Sequence, residues 1–311
     1  MNGALLGVVA PVFGTVALGY GLARAGVLAQ EVGAGLTRFM FFLAIPAMLF
    51  RGLAGAALPA HPPWAYLLSF YLPSFAVFTL ALLLAERRLG WARHEAGLAG
   101  MTACYANIVL LGFPLSHAAF GAPGHLPLFL LVATQSTLLF PLATWALEIR
   151  AQRRAGGPRR LLAAMGRLAA NPVLLALAAG FVANRLALEL PAVPSRMLET
   201  LAAAGPACAL VALGIGLAQY RLGGAWGEVA LLVGLKNLLC PALVWGLGRA
   251  FALEPLWLAT AVLMAAMPSG INAFIFASQY GLRQDAVAKT IVASTVVSAL
   301  VVTLLLGRFL A

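Results

Sequence analysis

Apolar runs of about 20 residues, broken by short polar stretches, fill almost the whole chain. Ten can be drawn, at 4–23, 34–56, 64–85, 96–120, 125–149, 168–188, 197–219, 227–250, 256–280 and 286–308. A helix of that length crosses a hydrocarbon core of roughly 30 Å. Barrel strands would instead show short segments of strict alternation. The pattern therefore predicts an all-α integral membrane protein with ten spans. The joins carry Gly, Pro or charge, as in Leu58-Pro59-Ala60-His61-Pro62-Pro63 and Gly121-Ala122-Pro123-Gly124.

Composition agrees. The 311 residues are 63% hydrophobic and 9% charged, with mean hydropathy +0.97. A soluble domain carries about 25% charged residues, so this chain could not cover itself in water. Its net charge of +11 would suggest nucleic acid in a soluble protein. Here the basic residues sit between spans, where they set orientation, and no nucleic-acid-binding module is present. Cys104, Cys208 and Cys240 lie inside spans and read as small packing residues.

Loop charge orients the spans. Met1 to Ala23 holds no Lys or Arg, unlike the basic start of a signal peptide, so it reads as a first span with its N-terminus outside. On that orientation fourteen basic residues fall inside and five outside, which places both termini outside. Six of the inner ones lie in Arg150–Arg167, around Gly156-Gly157-Pro158. This stretch, 150–167, reads as a cytoplasmic linker between halves 1–149 and 168–311.

The halves echo one another. Pro11-Val12 with Gly19-Tyr20 matches Pro172-Val173 with Gly180-Phe181. Pro46, Pro73, Pro114 and Ser136-Thr137 match Pro206, Pro241, Pro268 and Ser294-Thr295, at separations of 154 to 168 residues. Five matches in order point to duplication. A unit of five spans must enter from the opposite side on its second use, giving two inverted five-helix repeats, a recurring plan of secondary transporters.

Spans four and nine are the unusual ones. They contain Asn107-Ile108-Val109-Leu110-Leu111-Gly112-Phe113-Pro114 and Pro268-Ser269-Gly270-Ile271-Asn272. Proline removes a backbone donor, and glycine relaxes the backbone. The expectation is a helix broken at each proline, with half-helix N-termini that attract an anion. An ordinary kink is the plainer reading of either span alone; the matched pair, each with a polar amide, favours a site.

Lys236 is the one formal charge well inside a span. It reads as a site residue or as a snorkelling lysine. Gln135, Ser136 and Thr137, with Ser294 and Thr295, line a cavity or satisfy backbone between helices. No Asp or Glu sits at a span centre, which weighs against a carboxylate proton relay. His117 lies toward the outer end of its span and reads as a solvated or hydrogen-bonded histidine. No nucleotide, hydrolase or metal-ligand motif occurs, so neither an enzyme nor a cofactor is expected.

The chain resembles the auxin efflux carrier family, the bacterial relatives of the plant PIN-FORMED auxin exporters. The resemblance rests on Phe42-Leu43-Ala44-Ile45-Pro46-Ala47-Met48-Leu49-Phe50, on Asn107 through Pro114, and on Leu235-Lys236-Asn237-Leu238-Leu239-Cys240-Pro241. It continues through Ala266-Met267-Pro268-Ser269-Gly270-Ile271-Asn272-Ala273-Phe274 and Ser294-Thr295. It implies a scaffold of spans 1, 2, 6 and 7 and a moving domain of spans 3–5 and 8–10. Helices four and nine would cross where they break. It also implies elevator-like movement, a small organic anion as substrate, and a site lined by Asn107, Pro114 and Pro268. The candidate binding set is therefore Asn107, Pro114, Pro268, Ser269, Asn272, Lys236, Gln135 and Ser136. Plant members carry a long loop after span five, where this chain has only the Arg-rich linker. The rivals are a sodium-coupled symporter of the bile-acid type and a channel or receptor-like membrane scaffold. The expected partners are the bilayer and the anion, with a homodimer left open.

Overall fold

The structure, a computed structural model, describes residues 2–58, 61, 63–150, 171–220 and 226–309. The expected linker lies outside the described residues except for Arg150, as does Arg221. The described residues are helical, with no strand. In order they form α1 (Asn2–Arg24), α2 (Gln30–Ala54), α3 (Trp64–Arg88), α4 (Ala96–Cys104), α5 (Ile108–Phe120) and α6 (His125–Arg150). After the linker come α7 (Pro172–Arg185), α8 (Ala192–Ala218), α9 (Gly227–Ala250), α10 (Pro255–Ala265), α11 (Ile271–Tyr280) and α12 (Gln284–Phe309). Seven of these, α1, α2, α3, α6, α8, α9 and α12, are long and apolar enough to cross a membrane.

Three helices contain one wide π turn: Met40–Ala44 in α2, Ile108–Gly112 in α5 and Leu235–Leu239 in α9. Each ends two residues before a proline: Pro46, Pro114 and Pro241. A proline lacks an N–H and crowds the carbonyl four residues back. A wider turn relieves both problems without ending the helix. This corrects the expectation at Pro114. Helix α5 runs through Pro114, and the break falls upstream, at Tyr105–Asn107. At span nine the break does contain Pro268, between Ala265 and Ile271.

The most extensive packing pairs fall into two sets, which are joined by contacts of α1 with α5 and α12, of α8 with α5 and of α2 with α6. Helix α1 lies along α8, and α2 lies against α7 and α8. Helix α3 lies against α4 and α9, α9 also meets α10 and α12, and α6 meets α4. Small residues let backbones approach. A Cβ at Gly19 would stand 2.6 Å from the Val211 carbonyl oxygen of α8, and one at Gly180 would stand 2.8 Å from the Phe50 oxygen of α2. Large apolar side chains, including Leu186, Val296, Leu300 and Leu304, face outward. That suits lipid, whereas in water so many exposed large apolar side chains would be unfavourable.

Candidate functional site

The two breaks meet. Residues 105–107 and 268–270 run antiparallel as a single bridge between Ala106 and Ser269. Asn107 N–H donates to the Pro268 carbonyl at 2.9 Å, and Gly270 N–H donates to the Tyr105 carbonyl at 2.9 Å. A broken helix leaves backbone groups that hydrocarbon cannot satisfy, and each break supplies partners for the other. Gly270 permits the approach. A Cβ there would stand 2.6 Å from the Tyr105 ring.

Flanking helices satisfy what remains. The Gln135 amide of α6 brackets Ala106, accepting from its N–H at 3.2 Å and donating to its carbonyl at 2.8 Å. On the other segment, Ser269 N–H donates to Ser294 Oγ of α12 at 3.0 Å. Ser269 Oγ donates to the Thr102 carbonyl at the end of α4, at 2.6 Å. At the end of α10, buried Lys236 donates through Nζ to the Ala265 carbonyl at 2.6 Å. Asn237 Nδ2 and Ser298 Oγ both donate to the Ala266 carbonyl. These are the free carbonyls at a helix C-terminus, where a cation is favoured.

A cavity of about 380 Å³ opens beside the crossing. Its deep wall is Tyr105, Ala106, Asn107, Gln135, Ser136, Gly270, Ile271 and Asn272. Its other wall comes from α2, with Thr37, Arg38, Phe41 and Ile45, and from the start of α7, with Asn171 and Val173. It therefore lies between the two packing sets. Both α5 and α11 present their N-termini to it. Asn107 caps α5, its Oδ1 accepting from Leu110 N–H at 3.3 Å. Its Nδ2 is buried and has no partner. Asn272 Nδ2 donates to Tyr105 Oη at 2.9 Å, and that hydroxyl lies 2.8 Å from Ser136 Oγ.

Of the residues singled out from sequence, Asn107, Asn272, Gln135 and Ser136 border the cavity. Pro268 and Ser269 sit in the crossing itself, behind the cavity wall. Pro114 lies inside α5 and Lys236 behind α10, and neither borders the cavity. Tyr105, Thr37 and Arg38 were missed. Tyr105 had a legible neighbour in Asn107, two residues on. Arg38 looked like one more positive-inside charge. His117 is hydrogen-bonded, its Nδ1 lying 3.0 Å from His125 Nε2. No group of three or more metal-ligating side chains occurs among the described residues.

Comparison of the sequence with known proteins identifies a family. The family described as "Membrane transport protein" matches residues 4–157 and 158–306. The chain is 32% identical to the "Putative malonate transporter" of Rhizobium meliloti, over 93% of this chain and 90% of that protein. It is 28% identical to an "Uncharacterized transporter" of Methanothermobacter thermautotrophicus, over 89% of each. It is 23% identical to "Auxin efflux carrier component 8" of Arabidopsis thaliana, over 91% of each.

Proposed function

The chain belongs to the membrane transport protein family that includes the auxin efflux carriers, and we propose that it is a secondary active or facilitative carrier of small organic anions. One observation carries this reading. Asn107, whose Nδ2 is a buried donor without a partner, borders the cavity that two helix N-termini meet. An unsatisfied buried donor costs roughly 1–3 kcal/mol, and a carboxylate oxygen would satisfy it. Each helix N-terminus adds roughly half a positive charge. The malonate named for the Rhizobium relative has the same chemistry.

In this reading Asn107 contacts the anion directly. Tyr105, Ser136 and Asn272 form a hydrogen-bonded side wall, and Gln135 holds the non-helical segment at Ala106. Pro268 and Ser269 shape the crossing, and Pro114 shapes α5. Lys236 neutralises the end of α10 and touches no substrate.

Segments α4 with α5, and α10 with α11, each form one broken span, giving ten spans in two inverted repeats. The glycine approaches support this: Gly19 brings α1 onto α8, and Gly180, 161 residues later, brings α7 onto α2. The set α1, α2, α7 and α8 would be the scaffold, and the rest would slide past it as an elevator. The cavity's position between the sets supports that motion. With both termini outside, Arg38 and Asn171 are cytoplasmic, so this conformation is open inward.

Uptake into proteoliposomes tests the proposal. Saturable uptake of a carboxylate, accelerated by the same carboxylate trapped inside, is expected. Transport of a cation or neutral solute with no competition from any organic anion would overturn it, as would non-saturating conductance.

A further inference from the structure

Arg38 is the one charged side chain among the described residues lining the cavity. It is exposed, and no ion pair or hydrogen bond joins its side chain to another described residue. On α2 it borders the cavity together with Thr37, Met40, Phe41, Phe42 and Ile45.

Charge balance suggests its use. The deep wall offers two helix N-termini, together roughly one positive charge, and the neutral Asn107 amide. That matches one carboxylate. A second carboxylate on the same molecule would find no cation at the crossing, since Lys236 is committed to Ala265. Arg38 supplies the missing charge in a planar fork that fits a carboxylate.

We propose that Arg38 is the charge-selecting residue of this cavity, binding the distal carboxylate of a dicarboxylate whose other end rests at Asn107. This rests on the organic-anion reading above and deepens it. It makes the substrate class a small dianion and gives the two ends of the cavity separate tasks.

The test uses the full chain in nanodiscs. Affinities are measured for malonate and succinate and for their monomethyl esters, which keep the carbon chain, add one methyl group and lose one charge. The wild type is expected to prefer the diacids. Arg38→Gln is expected to weaken the diacids about tenfold or more, equivalent to about 1.4 kcal/mol, and to leave the half-esters nearly unchanged. Arg38→Lys, which keeps charge but not the fork, is expected to fall between. A parallel loss for diacids and half-esters would overturn the assignment, as would no change for either. Wild type that binds half-esters as well as diacids would overturn it too while sparing the anion reading. Wild type that binds none of the four would overturn the small-dianion assignment, and the anion reading falls with it only if no organic anion competes for uptake.

Discussion

At the scale of single residues, Asn107 divides its amide between two tasks. The oxygen caps α5 at Leu110, and the nitrogen is left without a partner at the cavity wall. Serine caps a helix about as well as asparagine but offers no second donor. Asn107→Ser should therefore keep the thermal midpoint close to wild type and weaken anion binding about tenfold. Thermal unfolding and ligand titration of the same sample separate the two effects. A large loss of stability with unchanged affinity would make Asn107 a structural residue.

Lys236 is the opposite case. Its depth in the span was legible, but its partner was not, because Ala265 lies 29 residues away on another helix. The structure removes snorkelling as its role, since the side chain is fully buried on a backbone carbonyl. Lys236→Gln should lower stability, because a buried carbonyl loses a charged donor, a cost of roughly 1–3 kcal/mol. Anion affinity should barely move. A selective loss of affinity would return Lys236 to the site.

At the scale of elements, the apolar runs located the helices well because lipid imposes length and hydrophobicity directly. Span 64–85 became Trp64–Arg88, and span 286–308 became Gln284–Phe309. The first break was misplaced. Tyr105-Ala106-Asn107 holds neither Gly nor Pro, so nothing local stops the helix. The break is specified by groups far along the chain: Gln135, Pro268 and Gly270. The three prolines that follow π turns show the converse, a local signal absorbed by a wider turn. The crossing depends on Gly270 being small. Gly270→Ala should push Tyr105 away and cost about 1–3 kcal/mol, read as a lower unfolding midpoint and weaker binding together. An alanine variant with wild-type stability and affinity would show that the crossing tolerates separation.

At the scale of the whole molecule, one cluster ties the ends of three helices. Arg283, just before α12, donates to Glu95 Oε2 through Nε at 2.9 Å and Nη2 at 2.7 Å. Its guanidinium also lies 4.9 Å from the centre of the Trp91 ring, whose Nε1 donates to Glu228 of α9. All these helices belong to the set proposed to move, so the cluster would hold it as one body. Partial burial pushes the Glu95 carboxyl up, but the hydrogen bonds from Arg283 and Ala92 N–H, with the nearby positive charge, hold it below its ordinary value of 4.5. A depressed carboxylate stabilises the folded state above its unfolded value and loses that contribution as pH falls through the folded one. Glu95→Gln should therefore melt earlier than wild type at pH 7, and the gap should close as pH drops below about 4.5. A gap independent of pH would mean that the carboxylate charge contributes nothing.

The central claim is that the anion binds at the crossing. Ile271→Cys, at a position that borders the cavity, with Cys208 replaced by serine and the buried Cys104 and Cys240 kept, reports occupancy through its rate of reaction with a charged thiol reagent. A saturating concentration of a carboxylate that the protein takes up into proteoliposomes should slow that reaction in proportion to the fraction of sites filled. A labelling rate unchanged at every concentration of that transported carboxylate would place the anion elsewhere, and the crossing would not be its site.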